Sequence, residues 1–460
     1  MNSDESKPSS GLGTRREFIK KASTAAAVVA TANIFKTPVY GQSQAPSHGR
    51  VIGANDRIAV AVVGLGVGIG QNHLQGIHDK ASENNVVVAA VGDLYSKRRD
   101  WGTKTAELKE ADGYSDHRKL LERKDIDAIV VATHDVWHAP ITIDAMEAGK
   151  HVYSEKPMTR YLDEAFRVHD TAKRTKSVFQ VGSQGCSAVG WQKCAELISG
   201  GKIGTLVWGQ GYYCRNSIGG EWNYSIDTES SPTTIDWARW QGSVKKKVPF
   251  NADYFHRWRK YYPYCAGLLG DLVPHRLHPL VLASGNPEFP VRVSCQGTKN
   301  VHADKNTPET PERDVPEHIQ LIAEFPSGYM LTITCSTVNA KSPGFALYGH
   351  KATMNIGSSG ERIELVPERE FSEDVDPLTL DGLQPEDIRV HEKNWFDCIR
   401  SGKAPNANID LAVRVQTVIS LAEMSNRMNM TCLFDEKTRK ITGGDGKEVK
   451  PITYGTLDLS

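Results

Sequence analysis

The sequence lacks the features that mark nucleic-acid-binding and membrane-spanning proteins. Lys plus Arg and Asp plus Glu both number 55, so the formal net charge at pH 7 is zero, and no polybasic run stands out. Nucleic acid and anionic membranes are therefore poor candidates as partners. Beyond the N-terminal segment no stretch holds 18 uninterrupted apolar residues, so we expect no membrane span in the mature chain.

Cysteine is also scarce. The eight cysteines are widely spaced and form no C-x-x-C pair, a spacing typical of zinc and redox sites. Export from the cytoplasm would permit disulfides. Buried free thiols are the simpler interpretation of such scattered positions.

The first 45 residues have the three parts of a twin-arginine export signal. Residues 14–20 (TRREFIK) carry the arginine pair, residues 22–34 form a short, weakly apolar core, and residues 38–41 offer small residues for cleavage. The core is shorter than the roughly 20 apolar residues that span a bilayer. The twin-arginine route exports folded proteins, so we expect a periplasmic protein that carries any cofactor with it.

Roughly 410 residues remain, more than one hydrophobic core usually serves, so we predict two domains. The predicted segments are 1–45 (signal and start of the linker), 55–180 (NAD(P)-binding domain), 181–385 (α+β substrate and assembly domain), 386–430 (helices that pack back on the first domain) and 431–460 (a tail).

A glycine-rich turn follows the first apolar run, residues 58–63. Gly64, Gly66 and Gly68 precede residues that can begin a helix, although the third glycine of a G-x-G-x-x-G pattern counted from Gly64 is replaced by Ile69. Such glycines let the backbone approach a pyrophosphate, and the helix N-terminus supplies free N–H groups. Strand, glycine turn and helix in this order predict a dinucleotide site.

Asp93 ends the second apolar run and is placed to accept hydrogen bonds from a ribose diol. Its charge should repel a 2′-phosphate, which favours NAD as the cofactor. Lys97 and Arg98 follow closely, so NADP stays an alternative.

Further alternation of strands and helices predicts a doubly wound parallel sheet. Residues 126–132 read as the third strand, and the fourth strand begins at His151. Ligands of such sheets bind beyond the carboxyl ends of the strands. The candidate cofactor-binding residues are Gly64, Gly66, Gly68, Asp93, Thr133, His138, Glu155 and Lys156.

Residues 148–158 (AGKHVYSEKPM) resemble the signature of the Gfo/Idh/MocA oxidoreductases, the glucose-fructose oxidoreductase and inositol dehydrogenase superfamily. The resemblance continues through residues 180–184, 235–242, 258–259 and 394–406. It implies that Lys156 lies beside the nicotinamide and the substrate hydroxyl. It also implies catalytic roles for Asp271 and His275, which follow a glycine-containing stretch. A neutral His suits removal of a hydroxyl proton, since its unperturbed pKa is about 6.5.

One departure from the family pattern is His278, three residues after His275. No third ligand has a recognisable spacing, so we predict no metal site. The candidate substrate-binding residues are Arg259, His278, Tyr262 and Trp258.

The middle of the chain predicts a mostly antiparallel sheet with one face toward the active site. Its strand-like runs are residues 207–214, 291–297, 318–325, 329–336 and 345–356. An acidic stretch at 370–387 reads as a surface loop, and two helices are predicted over 392–399 and 410–429.

Three functions fit these residues. The first is an NAD(P)-dependent oxidoreductase that acts on a hydroxyl of a sugar, polyol or glycoside, with a tightly bound cofactor recycled in place. The second is an NAD-dependent glycosidase or lyase that works by transient oxidation and elimination. The third, a non-catalytic carbohydrate-binding protein, is the least favoured because binding alone needs no proton relay. A homo-oligomer is expected in each case.

Overall fold

The computed structural model describes residues 56–302 and 312–457, so the predicted export signal lies outside the described residues. Six strands form the first sheet: β1 (Ile58–Val63), β2 (Val86–Gly92), β3 (Gly113–Tyr114), β4 (Ala128–Val131), β5 (His151–Glu155) and β6 (Phe179–Gly182). The helices of this part are α1 (Ile69–Asp79), α2 (Ala81–Asn84), α3 (Ser96–Thr105), α4 (His117–Leu121), α5 (His138–Glu147) and α6 (Leu162–Thr175).

The strands of this sheet pair in parallel in the order β3-β2-β1-β4-β5-β6. This order is that of a Rossmann fold, and its direction reverses between β1 and β4. The prediction of a doubly wound parallel sheet is confirmed. The short strand β3 was not predicted, so the predicted third strand over residues 126–132 is the fourth.

The second sheet has eleven strands: β7 (Leu206–Cys214), β8 (Arg292–Thr298), β9 (His318–Glu324), β10 (Met330–Ser336), β11 (Phe345–Gly349), β12 (Ala352–Ile356), β13 (Ile363–Pro367), β14 (Leu378–Leu380), β15 (Cys432–Asp435), β16 (Lys440–Gly443) and β17 (Glu448–Val449). Strands β7 and β10 pair in parallel, and the other paired neighbours are antiparallel. The predicted mostly antiparallel sheet is therefore confirmed.

Three predictions about this second half were wrong in detail. The run 345–356 is two strands that form a hairpin, and the acidic stretch 370–387 contains the edge strand β14. The segment 431–460 is not a tail through most of its length, because β15, β16 and β17 extend the large sheet beyond β8. Alternating buried and exposed residues in β15 and β16 give these short strands one face to bury.

The remaining helices are α7 (Val189–Ser199), α8 (Trp237–Trp240), α9 (Ala252–Arg257), α10 (Leu268–Asp271), α11 (Val273–Ala283), α12 (Ile388–Ser401) and α13 (Ile409–Met428). Helix α12 buries Trp395 and Phe396 in the same core cluster as Val60 of β1 and Val88 of β2. Its N-terminus is capped by Asp387, which accepts hydrogen bonds from the N–H groups of Arg389 and Val390.

Within the described ranges no helix is long and apolar enough to cross a membrane. The same residues contain no group of three His, Cys, Asp or Glu side chains placed to hold a metal ion. All eight cysteines are free thiols, and seven of them are buried.

Candidate active site

The glycine turn between β1 and α1 is shaped for close approach of another backbone. Gly64 has a φ of +93°, and a Cβ at this position would fall 2.5 Å from the carbonyl carbon of Ala132. A Cβ at Gly70 would overlap the carbonyl oxygen of Gly64, so α1 packs against the turn only because residue 70 is glycine. Gly68 is the N-cap residue of α1, and no side chain caps the helix. The uncapped N-terminus suits the pyrophosphate of a dinucleotide.

Asp93 holds this turn to the end of β2. Its Oδ2 accepts the N–H of Leu65 at 2.7 Å, and its Oδ1 accepts the N–H of Tyr95 at 2.8 Å. Lys97 is paired with Asp227 and Glu229, whereas the Arg98 guanidinium lies over the ring of Phe255. Asp93 therefore lies beside the glycine turn, at the end of β2, and its contact with a ribose stays a prediction.

The loop after β4 is tied to the loop after β5 by His138. One of its ring nitrogens lies 2.7 Å from the carbonyl oxygen of Pro157, and the other lies 3.0 Å from that of Thr133. His138 is 1 % exposed, and burial lowers its pKa. Both ring nitrogens of His138 therefore contact backbone carbonyl groups. The buried side chain is not exposed for the predicted cofactor contact.

Glu155 also faces inward. Its Oε1 lies 2.9 Å from Nε2 of His73, and Nδ1 of His73 lies 2.6 Å from Glu392. All three side chains are buried. Burial alone would lower the pKa of His73, but the two carboxylates raise it to about 9. The predicted cofactor contact by Glu155 is therefore replaced by a buried cluster of alternating charges.

Lys156, the next residue, follows β5 and reaches Asp271 in the region beyond the carboxyl ends of the strands, which is called the cleft below. Its Nζ donates to Oδ1 of Asp271 at 2.6 Å and to the carbonyl oxygen of the same residue at 2.9 Å. Arg259 Nε donates to Oδ1 at 3.2 Å, and the indole N–H of Trp222 donates to Oδ2 at 2.9 Å. Although burial opposes it, Lys156 and Arg259 hold the pKa of Asp271 well below its usual range. Asp271 is therefore an ionised group fixed by three donors.

His275 follows Asp271 by four residues, on α11, and its half-buried ring lies 5.9 Å from that of Tyr213. Within the described residues its imidazole makes no hydrogen bond. Burial lowers the pKa of His275 well below its usual value, and Lys156 lowers it further. The neutral ring can accept a proton, which is the state that the prediction required.

The four predicted substrate-binding residues divide into two pairs. Arg259 contacts Asp271 and lies over the ring of Trp258, at 4.1 Å from its centroid, so both belong to the site. Tyr262 is instead buried beneath Arg427 and its carbonyl oxygen accepts from Arg160. His278 is 1 % exposed, with Nδ1 2.9 Å from the carbonyl oxygen of Pro274 inside α11. The structure does not bring Tyr262 or His278 into the cleft.

Two side chains near Asp271 are not among the predicted site residues. Trp222 reaches Asp271 because the loop after β7 places it at a φ of +63°, an uncommon conformation for a residue with a side chain. Asp135 lies on the loop after β4 and is 3 % exposed. Its place beyond the carboxyl end of a central strand was the available signal; for Trp222 the signal was the group of aromatic residues that precedes Asp271 in the sequence.

The fold and this site define an NAD-binding oxidoreductase. Residues 58–183 match the family model described as oxidoreductase family, NAD-binding Rossmann fold, and residues 233–355 match the GFO/IDH/MocA C-terminal domain. The chain belongs to the Gfo/Idh/MocA oxidoreductase family, and its cofactor is NAD.

Among curated relatives, the chain is 34 % identical over 177 residues to an alpha-N-acetylgalactosaminidase of Shewanella oneidensis. It is 35 % identical over 178 residues to a glycosyl hydrolase family 109 protein of Shewanella baltica. Each match covers 35 % of this chain and 37 % of the relative, so the chain spans little more than a third of the length of the relatives it matches.

Solved structures share the fold over most of the chain. Levoglucosan dehydrogenase in complex with NADH superimposes with a TM-score of 0.63 at 17 % identity, covering 82 % of this chain and 98 % of that one. The aldose-aldose oxidoreductase of Caulobacter crescentus gives a TM-score of 0.60 at 17 % identity, covering 82 % and 100 %.

Proposed function

We propose that this protein oxidises a hydroxyl group of a sugar, polyol or glycoside with a tightly bound NAD that is recycled in place. The observation that carries the proposal is the Lys156–Asp271 pair, 2.6 Å apart, with the neutral His275 one helical turn away. A proton-accepting ring and a positive donor side by side are what removal of a hydroxyl proton requires.

The dinucleotide would be held by the glycine turn, the N-terminus of α1 and Asp93. When bound, NAD supplies a reversible acceptor for the hydride that leaves the carbinol carbon. Lys156 donates a hydrogen bond to the reacting oxygen, and His275 accepts the hydroxyl proton. Asp271 stays ionised and keeps the Lys156 ammonium in place.

The predicted export signal supports recycling of the cofactor. We propose that the protein works in the periplasm, where no free nicotinamide pool is expected, and that it is exported with NAD already bound. The bound cofactor must then be reoxidised by a second sugar or acceptor, or by the same substrate. We also propose that the protein forms a homo-oligomer.

A second candidate function is cleavage of a glycoside by transient oxidation, elimination and return of the hydride. The relatives named as glycosidases favour it, and it needs no external redox partner. Carbohydrate binding without catalysis does not require the closely paired charges around Asp271. These charges therefore give a purely binding role no support.

One experiment separates these functions. The protein purified from the periplasm is denatured, and the released nicotinamide is measured; recovery of about one NAD(H) per chain is expected. The folded protein is then given sugars and aryl glycosides, including N-acetyl-α-galactosaminides. Lasting NADH formation or transfer of electrons to a second sugar supports the oxidoreductase, and release of the aglycone without net NADH supports the glycosidase. A protein free of nicotinamide would contradict both.

A further inference from the structure

A second carboxyl group lies beside the Asp271 cluster. Asp135 begins the short 3₁₀ helix after β4, on the Rossmann side of the cleft, and is 3 % exposed. Its Oδ2 faces α10, since a Cβ at Gly270 would lie 3.3 Å from it. Gly270 immediately precedes Asp271, and the charge of Asp271 acts on the Asp135 carboxyl group.

No donor in the described part of the chain makes a hydrogen bond to the Asp135 carboxyl group. A buried carboxylate without a hydrogen bond is costly, and such groups usually become neutral instead. Asp271 is the opposite case, because it accepts from Lys156, Arg259 and Trp222.

Charged groups from each neighbouring element act on Asp135. Arg259 and Arg160 favour its ionised form, as does Lys156, whereas Asp271 opposes it. The thiol of Cys265 is also nearby: burial raises its pKa, and the charge of Asp135 raises it further. Burial outweighs the cations and raises the pKa of Asp135 to about 7. When two carboxyl groups of one site have such different affinities for a proton, one can act as an acid while the other stays ionised.

Oxidation of an alcohol needs a proton acceptor, and His275 can supply that function without a second carboxyl group. Cleavage of a glycosidic bond also needs a proton donor, because the leaving oxygen departs poorly as an alkoxide. A carboxyl group that holds a proton at this position therefore suits cleavage of a glycosidic bond better than oxidation alone.

We propose that Asp135 donates the proton to the leaving oxygen when this site cleaves a glycoside, an assignment that rests on the second candidate function. After oxidation of the ring hydroxyl, the half-buried His275 releases that proton to solvent and then takes the proton from the neighbouring C–H. The C–H electron pair forms a double bond, the C–O electron pair goes to the leaving oxygen, and Asp135 protonates it.

The cycle closes with water. Its hydroxyl adds to the anomeric carbon, its remaining proton restores Asp135, and the proton on His275 returns to the neighbouring carbon. The carbonyl then regains the hydride and, from solvent, a proton. Asp135 thus starts and ends the cycle as a carboxylic acid, and the net reaction is hydrolysis.

The test uses the NAD-loaded full-length protein and the variant Asp135→Asn, which keeps the shape but has no acidic proton. Methyl and 4-nitrophenyl glycosides of the same sugar are compared, beginning with N-acetyl-α-galactosamine. A methoxide leaving group needs protonation and a nitrophenoxide does not. We expect a loss of about 100-fold or more on the methyl glycoside, and a change within about 3-fold on the nitrophenyl glycoside. Asp100→Asn, an exposed change on α3, serves as the matched control.

Two further measurements do not depend on the comparison of methyl and nitrophenyl glycosides. Cleavage of the methyl glycoside by the wild-type protein should fall above pH 7, because Asp135 loses its proton near that pH; the variant should lack this limb. The infrared band of a protonated carboxyl group should titrate near pH 7 in the wild-type protein without substrate and be missing in the variant. Should Asp135→Asn not fold, Asp135→Glu, which keeps an acidic proton, should keep part of the methyl glycoside activity.

The outcomes distinguish the role of Asp135 from the glycosidase function on which it rests. Equal losses on both glycosides, or an unchanged pH profile in Asp135→Asn, would overturn the role of Asp135 and leave the glycosidase function standing. A wild-type protein that cleaves no glycoside would overturn the glycosidase function and this assignment with it.

Discussion

Glu155 and Lys156 are neighbours in the chain, yet they serve two different charge clusters. Glu155 turns inward to His73 and Glu392, in a cluster whose side chains are at most 4 % exposed. Lys156 turns to Asp271, where the two side chains are 10 % and 15 % exposed. One motif therefore contributes to the interior of the Rossmann domain and to the proposed reaction centre.

The two clusters differ in what their charges can do. In the inner cluster a protonated His73 lies between two carboxylates and joins α1, β5 and α12, and Arg389 pairs with Glu392 as the second cation. In the cleft cluster Lys156 and Arg259 compensate Asp271, while the Asp135 carboxyl group and the His275 ring make no hydrogen bond within the described residues. The comparison teaches that complete pairing of buried charges favours rigidity, and incomplete pairing leaves groups available for chemistry.

Removing Lys156 should have the largest effect on activity. Lys156→Ala deletes the proposed donor to the reacting oxygen and leaves Asp271 to Arg259 and Trp222. We expect kcat to fall by about 10²–10⁴-fold, the range of a lost acid–base group, while NAD stays bound. Turnover and the NAD content after denaturation are measured together; a variant that loses NAD as well would show that the clusters are not separate.

Removing His73 should act on stability. His73→Gln leaves two buried carboxylates without the cation between them, so unfolding should become easier by about 3–5 kcal/mol. Chemical denaturation measures the change. His169→Gln is the matched control, since His169 pairs with Asp410 nearer the surface and should cost less than about 1 kcal/mol. Similar losses in both variants would contradict the comparison.

Sequence reasoning predicted the parts of this molecule that rest on local patterns. The glycine turn, Asp93 and the β1, β2 and β5 strands each follow from neighbouring residues. The inner cluster joins residues 73 and 392, which are 319 positions apart, and no local pattern encodes that contact. For the same reason the sequence could not decide whether Tyr262 and His278 line the site or are buried, since a side chain's exposure depends on what packs against it.

The pH dependence of stability should differ between the clusters. The pKa of His73 is raised from about 6.5 in the unfolded chain to about 9 in the fold. Its contribution, about 3 kcal/mol from the size of that shift, is complete below pH 6.5 and is lost as the pH rises through 9. Asp271 has a lowered pKa, so its contribution is lost only in acid. The unfolding free energy of the wild-type protein, measured from pH 6 to pH 10, should decline as His73 loses its proton. His73→Gln has no such group, so its unfolding free energy should lack this decline.

The smallest effect is expected from Trp222→Phe, which keeps an aromatic ring and removes the indole N–H. Asp271 would keep Lys156 and Arg259, and would lose the donor that fixes Oδ2 at 2.9 Å. One hydrogen bond to a charged acceptor contributes about 1.5–3 kcal/mol, and part of it should be recovered as the carboxylate moves toward its other donors. We therefore expect kcat to fall by about 10-fold, equal to about 1.4 kcal/mol, with KM changed by less than about 2-fold. Trp208→Phe, on β7 and stacked on Tyr348, is the matched control. A rise in KM with unchanged kcat would place Trp222 in substrate binding, whereas a fall in kcat alone would identify it as the residue that keeps the cleft cluster in its reactive geometry.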